Sequence, residues 1–126
     1  LKGPIGAVLH IGSCVADRTA YDGLTAPSVI ANTNLANGAV QTVQDALAPL
    51  ALAPQNPEHP LDPASWIGES QIWAQDGKPM LSIAGTSPNF HTVEDTVETC
   101  LDADLLETVT AALVVCAEAL IGASGV

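Results

Sequence analysis

Five of the chain's nine prolines, Pro49, Pro54, Pro57, Pro60 and Pro63, fall within residues 49–63. Each proline removes an amide donor and locks φ near about −65°, so this stretch excludes both helix and central strand. Residues 49–65 therefore read as a proline-rich surface loop, with His59 as a solvated loop histidine between Glu58 and Pro60. Regular elements have to be found on either side of it.

Upstream, Gly6–Ser13 (GAVLHIGS) is a short apolar run between glycines and reads as a buried strand that carries His10. Residues 14–27 read as a loop, and Ser28–Asn32 as a second strand. From Asn34 to Leu50 the period changes: Leu35, Ala39, Val43, Ala46, Leu47 and Leu50 recur three or four apart, which predicts a helix capped by Asn34 or Asn37. Downstream, Glu69–Gln75 predicts two helical turns stopped at Asp76-Gly77, and Pro79–Ala84 predicts a third strand. Asp102 is placed to cap a long helix. Leu105, Val109, Ala112, Cys116 and Leu120 form its stripe, and Gly122 its end.

This alternation argues for an α/β fold, a partial layered sheet of about three strands, largely parallel, with two main helices. Strands of a parallel sheet are apolar on both faces, and two helices cover too little of them. Residues 1–126 thus read as a single incomplete α/β unit. A second polypeptide, or a further N-terminal segment, is expected to complete the sheet.

Charge limits the partners. Lys2, Arg18 and Lys78 stand against 14 carboxylates, for a net charge of −11. Phosphate recognition needs clustered Lys and Arg, so neither nucleic acid nor an anionic membrane is an expected partner. The uninterrupted apolar run Ala111–Ala117 is too short to span a bilayer, and the N-terminus has no signal-peptide pattern. Cys14, Cys100 and Cys116 have no metal-knuckle spacing, which leaves one disulfide plus a thiol or three thiols open. Ser13, Ser28, Ser70 and Ser82 lie in no GxSxG context. Cys14 lies close to His10 in sequence, but nothing around it argues for an activated thiol.

The stretch from Trp66 to Leu105 carries the most chemistry. It reads GES (Gly68–Ser70), DGKPMLSIAG (Asp76–Gly85), FHTVEDT (Phe90–Thr96) and LDADLL (Leu101–Leu106). A histidine on a loop just after a strand projects from the carboxyl edge of the sheet, where open α/β folds build their sites. Neutral imidazole is a common zinc ligand. Thr92 and Asp95 flank His91 and can tie the loop down through side-chain to backbone bonds. As a plain loop histidine, His91 would simply be solvated.

The order of these motifs resembles the C-terminal part of the co-catalytic zinc aminopeptidases, the group of bacterial leucyl aminopeptidases and, more distantly, glutaminyl cyclases. Gly77–Leu81 stands for that family's "GIPAL" strand, Phe90–Thr96 for its "YHTPxDT" loop, Leu101–Leu106 for "LDxExL", and Leu9–Gly12 for "LDMIG". The resemblance implies a zinc-dependent hydrolase of N-terminal peptide bonds, with a peptide substrate and with His91 as a terminal metal ligand. His10 stands at the aspartate ligand of "LDMIG", either as a substituted ligand or as a buried strand histidine bonded to the backbone. Glu69 stands near the family's acidic position before the short helix, beside the metal ligands or as a helix N-terminal acid. Thr92 and Asp95 fall on the substrate side or behind the ligands.

The family's HxD strand end and Glu-Glu pair are absent from residues 1–126, so the resemblance assigns no catalytic residue to this chain and makes it inactive alone. Two functions follow. The chain contributes one metal-ligand histidine to a site completed by another segment or chain, or it is a non-catalytic peptidase-like binding or assembly subunit.

Overall fold

The computed structural model describes residues 5–20, 29–54, 66 and 68–123. Most of the proline-rich loop, with His59, lies outside the described residues, as does the segment 21–28 that holds the expected start of the second strand at Ser28.

The protein is mixed α/β. Among the described residues a three-stranded sheet, β1 (Val8–Ile11), β2 (Val29–Thr33) and β3 (Met80–Gly85), is joined by four helices, α1 (Asn37–Leu47), α2 (Ser70–Gln75), α3 (Val97–Cys100) and α4 (Ala103–Ala123). The strand order is β1-β3-β2. β1 runs parallel to β3 with His10 opposite Ser82, and β2 runs antiparallel with Asn32 opposite Ser82.

The sheet is therefore mixed, where alternation alone predicted a largely parallel one. Asn34 shows why. At the end of β2 its Nδ2 donates to the carbonyl of Lys78 at 2.7 Å, and its Oδ1 accepts from the amide of Met80 at 2.8 Å. That clamp ties the finish of β2 to the start of β3. It also takes Asn34 away from helix capping: the residue at the N-cap of α1 is Ala36, with no side-chain bond to the helix. α1 then passes into a 3-10 turn, Ala48–Leu50, so Pro49 belongs to helical structure rather than to the loop.

Alternation sorts the side chains of β3. Leu81 and Ile83 join Val43, Leu47, Val109, Cys116 and Leu120 in the main core, where α1 and α4 cover one face of the sheet. Met80 points the other way, into a smaller cluster with Trp66 and Ala74. The expectation of two apolar faces thus holds in full for the first and only in part for the second. The second face carries a polar row across all three strands, His10–Ser82–Asn32, whose Ser82 and Asn32 are buried. Gly12 extends β1 past this row. A Cβ there would lie 2.6 Å from the Cβ of Ala84, a distance no side chain tolerates, so the absence of one allows the close approach of β1 to β3.

α4 begins as expected. Asp102 Oδ1 accepts from the amide of Leu105 at 2.7 Å, and Arg18 pairs with the other carboxylate oxygen. The helix runs one residue past Gly122. Taken whole, with its polar residues counted, α4 is long and apolar enough to cross a membrane by length and composition, which the run Ala111–Ala117 alone did not reveal. In the fold one stripe of it, Val109, Ala112, Cys116 and Leu120, is buried, and most of its length is exposed. All three cysteines are free thiols, and burial pushes that of Cys116 up to about 11.

Candidate functional site

The carboxyl ends of the parallel pair, β1 and β3, meet in a short extension of the sheet. Gly85 donates to the carbonyl of Ser13 at 2.8 Å, and Ser13 Oγ returns a bond to the carbonyl of Gly85 at 3.0 Å. From this rim the chain after β3 climbs through Gly85–Asn89 to His91.

The loop is tied down as its residue types predict. Asp95 Oδ2 accepts from the amide of His91 at 3.2 Å. Thr92 Oγ1 donates to the carbonyl of Asn89 at 2.7 Å and accepts from the amide of Glu94 at 3.2 Å. These bonds hold His91 in a left-handed conformation, φ 64°, a sparsely populated region for a residue with a Cβ. Its imidazole is exposed and lies 4.0 Å, centroid to centroid, from the ring of Phe90. Thr96 caps α3 with a box closed by Thr99, which fixes the downstream end of the same loop.

Beside the loop a crevice of about 380 Å³ opens at the carboxyl edge. Phe90, Val97 and Leu101 supply apolar wall, Asp17 and Asp95 carboxylates, and Cys14 and Cys100 thiols. Cys14 takes a left-handed φ of 57°, and its Sγ faces Ser87 Oγ at 3.9 Å rather than His10. A larger cavity of about 620 Å³ lies at the opposite end of β3, lined by Asn34, Thr42, Pro79 and Ala119, and none of His10, Glu69, His91, Thr92 and Asp95 lines it.

His10 and Glu69 are brought together, but as part of a different structure. His10 Nδ1 shares a hydrogen bond with Ser82 Oγ at 2.9 Å, and its Nε2 lies 3.6 Å from Glu69 Oε2, longer than a hydrogen bond and an ion pair only when the imidazole is protonated. His10 is a partly buried residue of β1. Its nearest partner is a side chain, however, and not the backbone group expected. Glu69 occupies the N-cap position of α2, without a side-chain cap bond, and its carboxylate is exposed to solvent. The pair thus links α2 to the second face of the sheet.

Glu69 is held below the ordinary glutamate value, first by a bond to its own backbone amide and then by His10. The sign follows. A lowered folded pKa means that the carboxylate favours the fold above the ordinary glutamate range, and that this contribution disappears as pH falls through the lowered value. Carboxyl-carbon NMR is expected to show Glu69 titrating low in the native chain. In His10→Ala the value should move part of the way back, and only part, because the backbone amide remains. A midpoint unchanged by His10→Ala would remove the imidazole as a cause.

The five predicted site residues therefore form two groups: His91, Thr92 and Asp95 on the rim loop, and His10 with Glu69 over the second face. Among the described residues no three His, Cys, Asp or Glu side chains converge as metal ligands. The sequence reading missed Ser82 as the partner of His10. The signal was present, a hydroxyl at an alternate position inside the apolar strand PMLSIA, but Ser82 had been considered only as a nucleophile. It also missed the crevice wall, because Cys14, Asp17 and Cys100 come together only through the pairing of Asp17 with Leu101.

Comparison of the chain with protein-family models, curated proteins and solved structures finds no match.

Proposed function

We propose that this chain is the C-terminal portion of a zinc-dependent aminopeptidase-like domain, and that His91 is one ligand of a metal site completed by another segment or chain. The observation that supports this most directly is the presentation of His91. An exposed imidazole stands on a loop whose backbone is pinned by Asp95 and Thr92, at the carboxyl edge of a parallel strand pair. Pinning a residue at positive φ gives the ring a defined base without burying it.

Zinc takes about four ligands. His91 accounts for one, and the proposal draws the remaining donors from whatever completes the site. When bound, the metal would supply Lewis acidity toward a peptide carbonyl. On this chain, His91 would hold the ion, Asp95 and Thr92 would position the loop, and the apolar wall of Phe90, Val97 and Leu101 would receive a substrate side chain. We assign only His91 here: His10, the other candidate ligand, has Nδ1 bonded to Ser82 and Nε2 facing Glu69.

One observation favours the second reading, a non-catalytic peptidase-like binding or assembly subunit. The residue at the family's aspartate ligand is a histidine engaged with Ser82 and Glu69, a contact that braces α2 on the sheet.

Calorimetric titration with zinc tests the ligand assignment. The chain alone is expected to bind weakly, to lose that binding in His91→Ala, to keep it in His10→Ala, and to release no N-terminal residue from peptides. Tight stoichiometric binding that survives His91→Ala would sink the proposal. Once the completing chain is in hand, metal-dependent hydrolysis by the complex would exclude the assembly reading, and its absence would exclude the peptidase one.

A further inference from the structure

The outward face of α4 is organised as a seam. Glu107, Ala111, Val114, Glu118 and Ile121 recur alternately four and three residues apart, the spacing at which one helix lays a continuous stripe against another. All five are exposed to solvent. Val114 is 55 % and Ile121 62 % exposed, and both stand opposite the buried stripe of Val109, Ala112, Cys116 and Leu120. Leu106 and Val115, also exposed, flank the seam. A helix that is apolar on both sides is the pattern of one buried on both sides.

Charge selects the occupant. The only charged residues in the seam are Glu107 and Glu118, and α4 carries no cation along its length. Of the fixed cations in the described residues, Arg18 is bound to Asp102 and Lys78 lies 3.7 Å from Asp76, so neither neutralises the seam. A second copy fits badly. Paired in parallel, the seam sets Glu107 on Glu107 and Glu118 on Glu118. Paired antiparallel, it sets Glu107 against Glu118, and each chain brings a net charge of −11. A bilayer fits no better, because the opposite face of α4 is already packed in the core and the outward face would take two carboxylates into hydrocarbon.

We infer that the outward face of α4 docks an amphipathic helix of a partner polypeptide, one that sets Lys or Arg against Glu107 and Glu118 and aliphatic side chains against Ala111, Val114 and Ile121. This surface is independent of the His91 loop, and its test does not depend on metal or hydrolysis.

The probe is a synthetic helical heptad peptide with Leu in the seam and Lys in the two layers that face Glu107 and Glu118. A twin peptide carries Glu in those layers. Titrated into the isotope-labelled chain and followed by amide NMR, the Lys peptide is expected to shift the signals of residues 107–121 and to bind at least about tenfold more tightly than the Glu peptide, with the preference reduced by salt. The double substitution Glu107→Lys, Glu118→Lys lies on exposed positions and should reverse the order of the two peptides. Val114→Asn with Ile121→Asn should weaken binding of both.

Equal affinity for the two peptides, or shifts that avoid α4, would overturn the inference. So would concentration-dependent broadening of the seam signals without peptide, which marks a second copy, and co-sedimentation with phosphatidylcholine vesicles, which marks a membrane.

Discussion

Leu81→Ala is expected to lower the unfolding free energy by about 2–5 kcal/mol, the range for a leucine truncated in a packed core. Leu81 has no solvent-accessible surface. It occupies the central strand, opposite Leu9 in β1 and Thr33 in β2, and belongs to the cluster that joins the sheet to α1 and α4. Truncation would leave a void where two helices and three strands meet, and the aliphatic core, with few aromatics to re-orient into it, would collapse only in part. A domain is stable by only about 5–15 kcal/mol, so urea titration should show a large fall in midpoint with little change in slope. Ile72→Ala is the control: Ile72 is also a large aliphatic but is 65 % exposed on α2, and its loss should stay within about 0.5 kcal/mol. Equal losses at the two positions would mean that the sheet is not the centre of the core.

The elements were legible in the sequence because each is governed by local rules. The stripe of α4 and its cap at Asp102 are periodic and chemical signals within one segment, and the structure reproduces both. The three strands were readable as short apolar runs between turn residues. Strand direction was not, because it depends on a contact between residues far apart in sequence: Asn34 carries ordinary helix-cap chemistry and uses it instead on the backbone of Lys78 and Met80. The short helix α3 was hidden for another reason. Its box is made by Thr96 and Thr99, and its four residues are too few to show a helical period.

The candidate site divides along the same line. The anchoring of His91 by Thr92 and Asp95 is a contact within one loop, and residue type and spacing were enough to anticipate it. The environment of His10 was not, since its partners Ser82 and Glu69 lie on other elements and meet it only through strand register and the placement of α2. The outward seam of α4 was not visible from the stripe alone, since only the fold shows that the other side of the helix stays exposed.

Asn34→Ala is the second large effect. Its amide side chain does what a further pair of strand residues would do, satisfying the carbonyl of Lys78 and the amide of Met80 together. Thr33 Oγ1 adds a bond to the carbonyl of Met80 and receives the amide of Leu35, so the turn out of β2 is built on these two side chains. An unpaired buried polar group costs about 1–3 kcal/mol. Two are exposed to that loss here, and the half-buried setting admits some water, so about 2–4 kcal/mol is expected for the pair. The location of the effect separates it from a general loss of stability. Hydrogen exchange should show the amide of Met80 losing protection well beyond the global change, while Ile83, paired in mid-strand, follows the global change alone. If Met80 stays as protected as Ile83 in Asn34→Ala, the clamp is not what holds β2 antiparallel to β3, and the direction of that strand must be set by the packing of α1 and α4 instead.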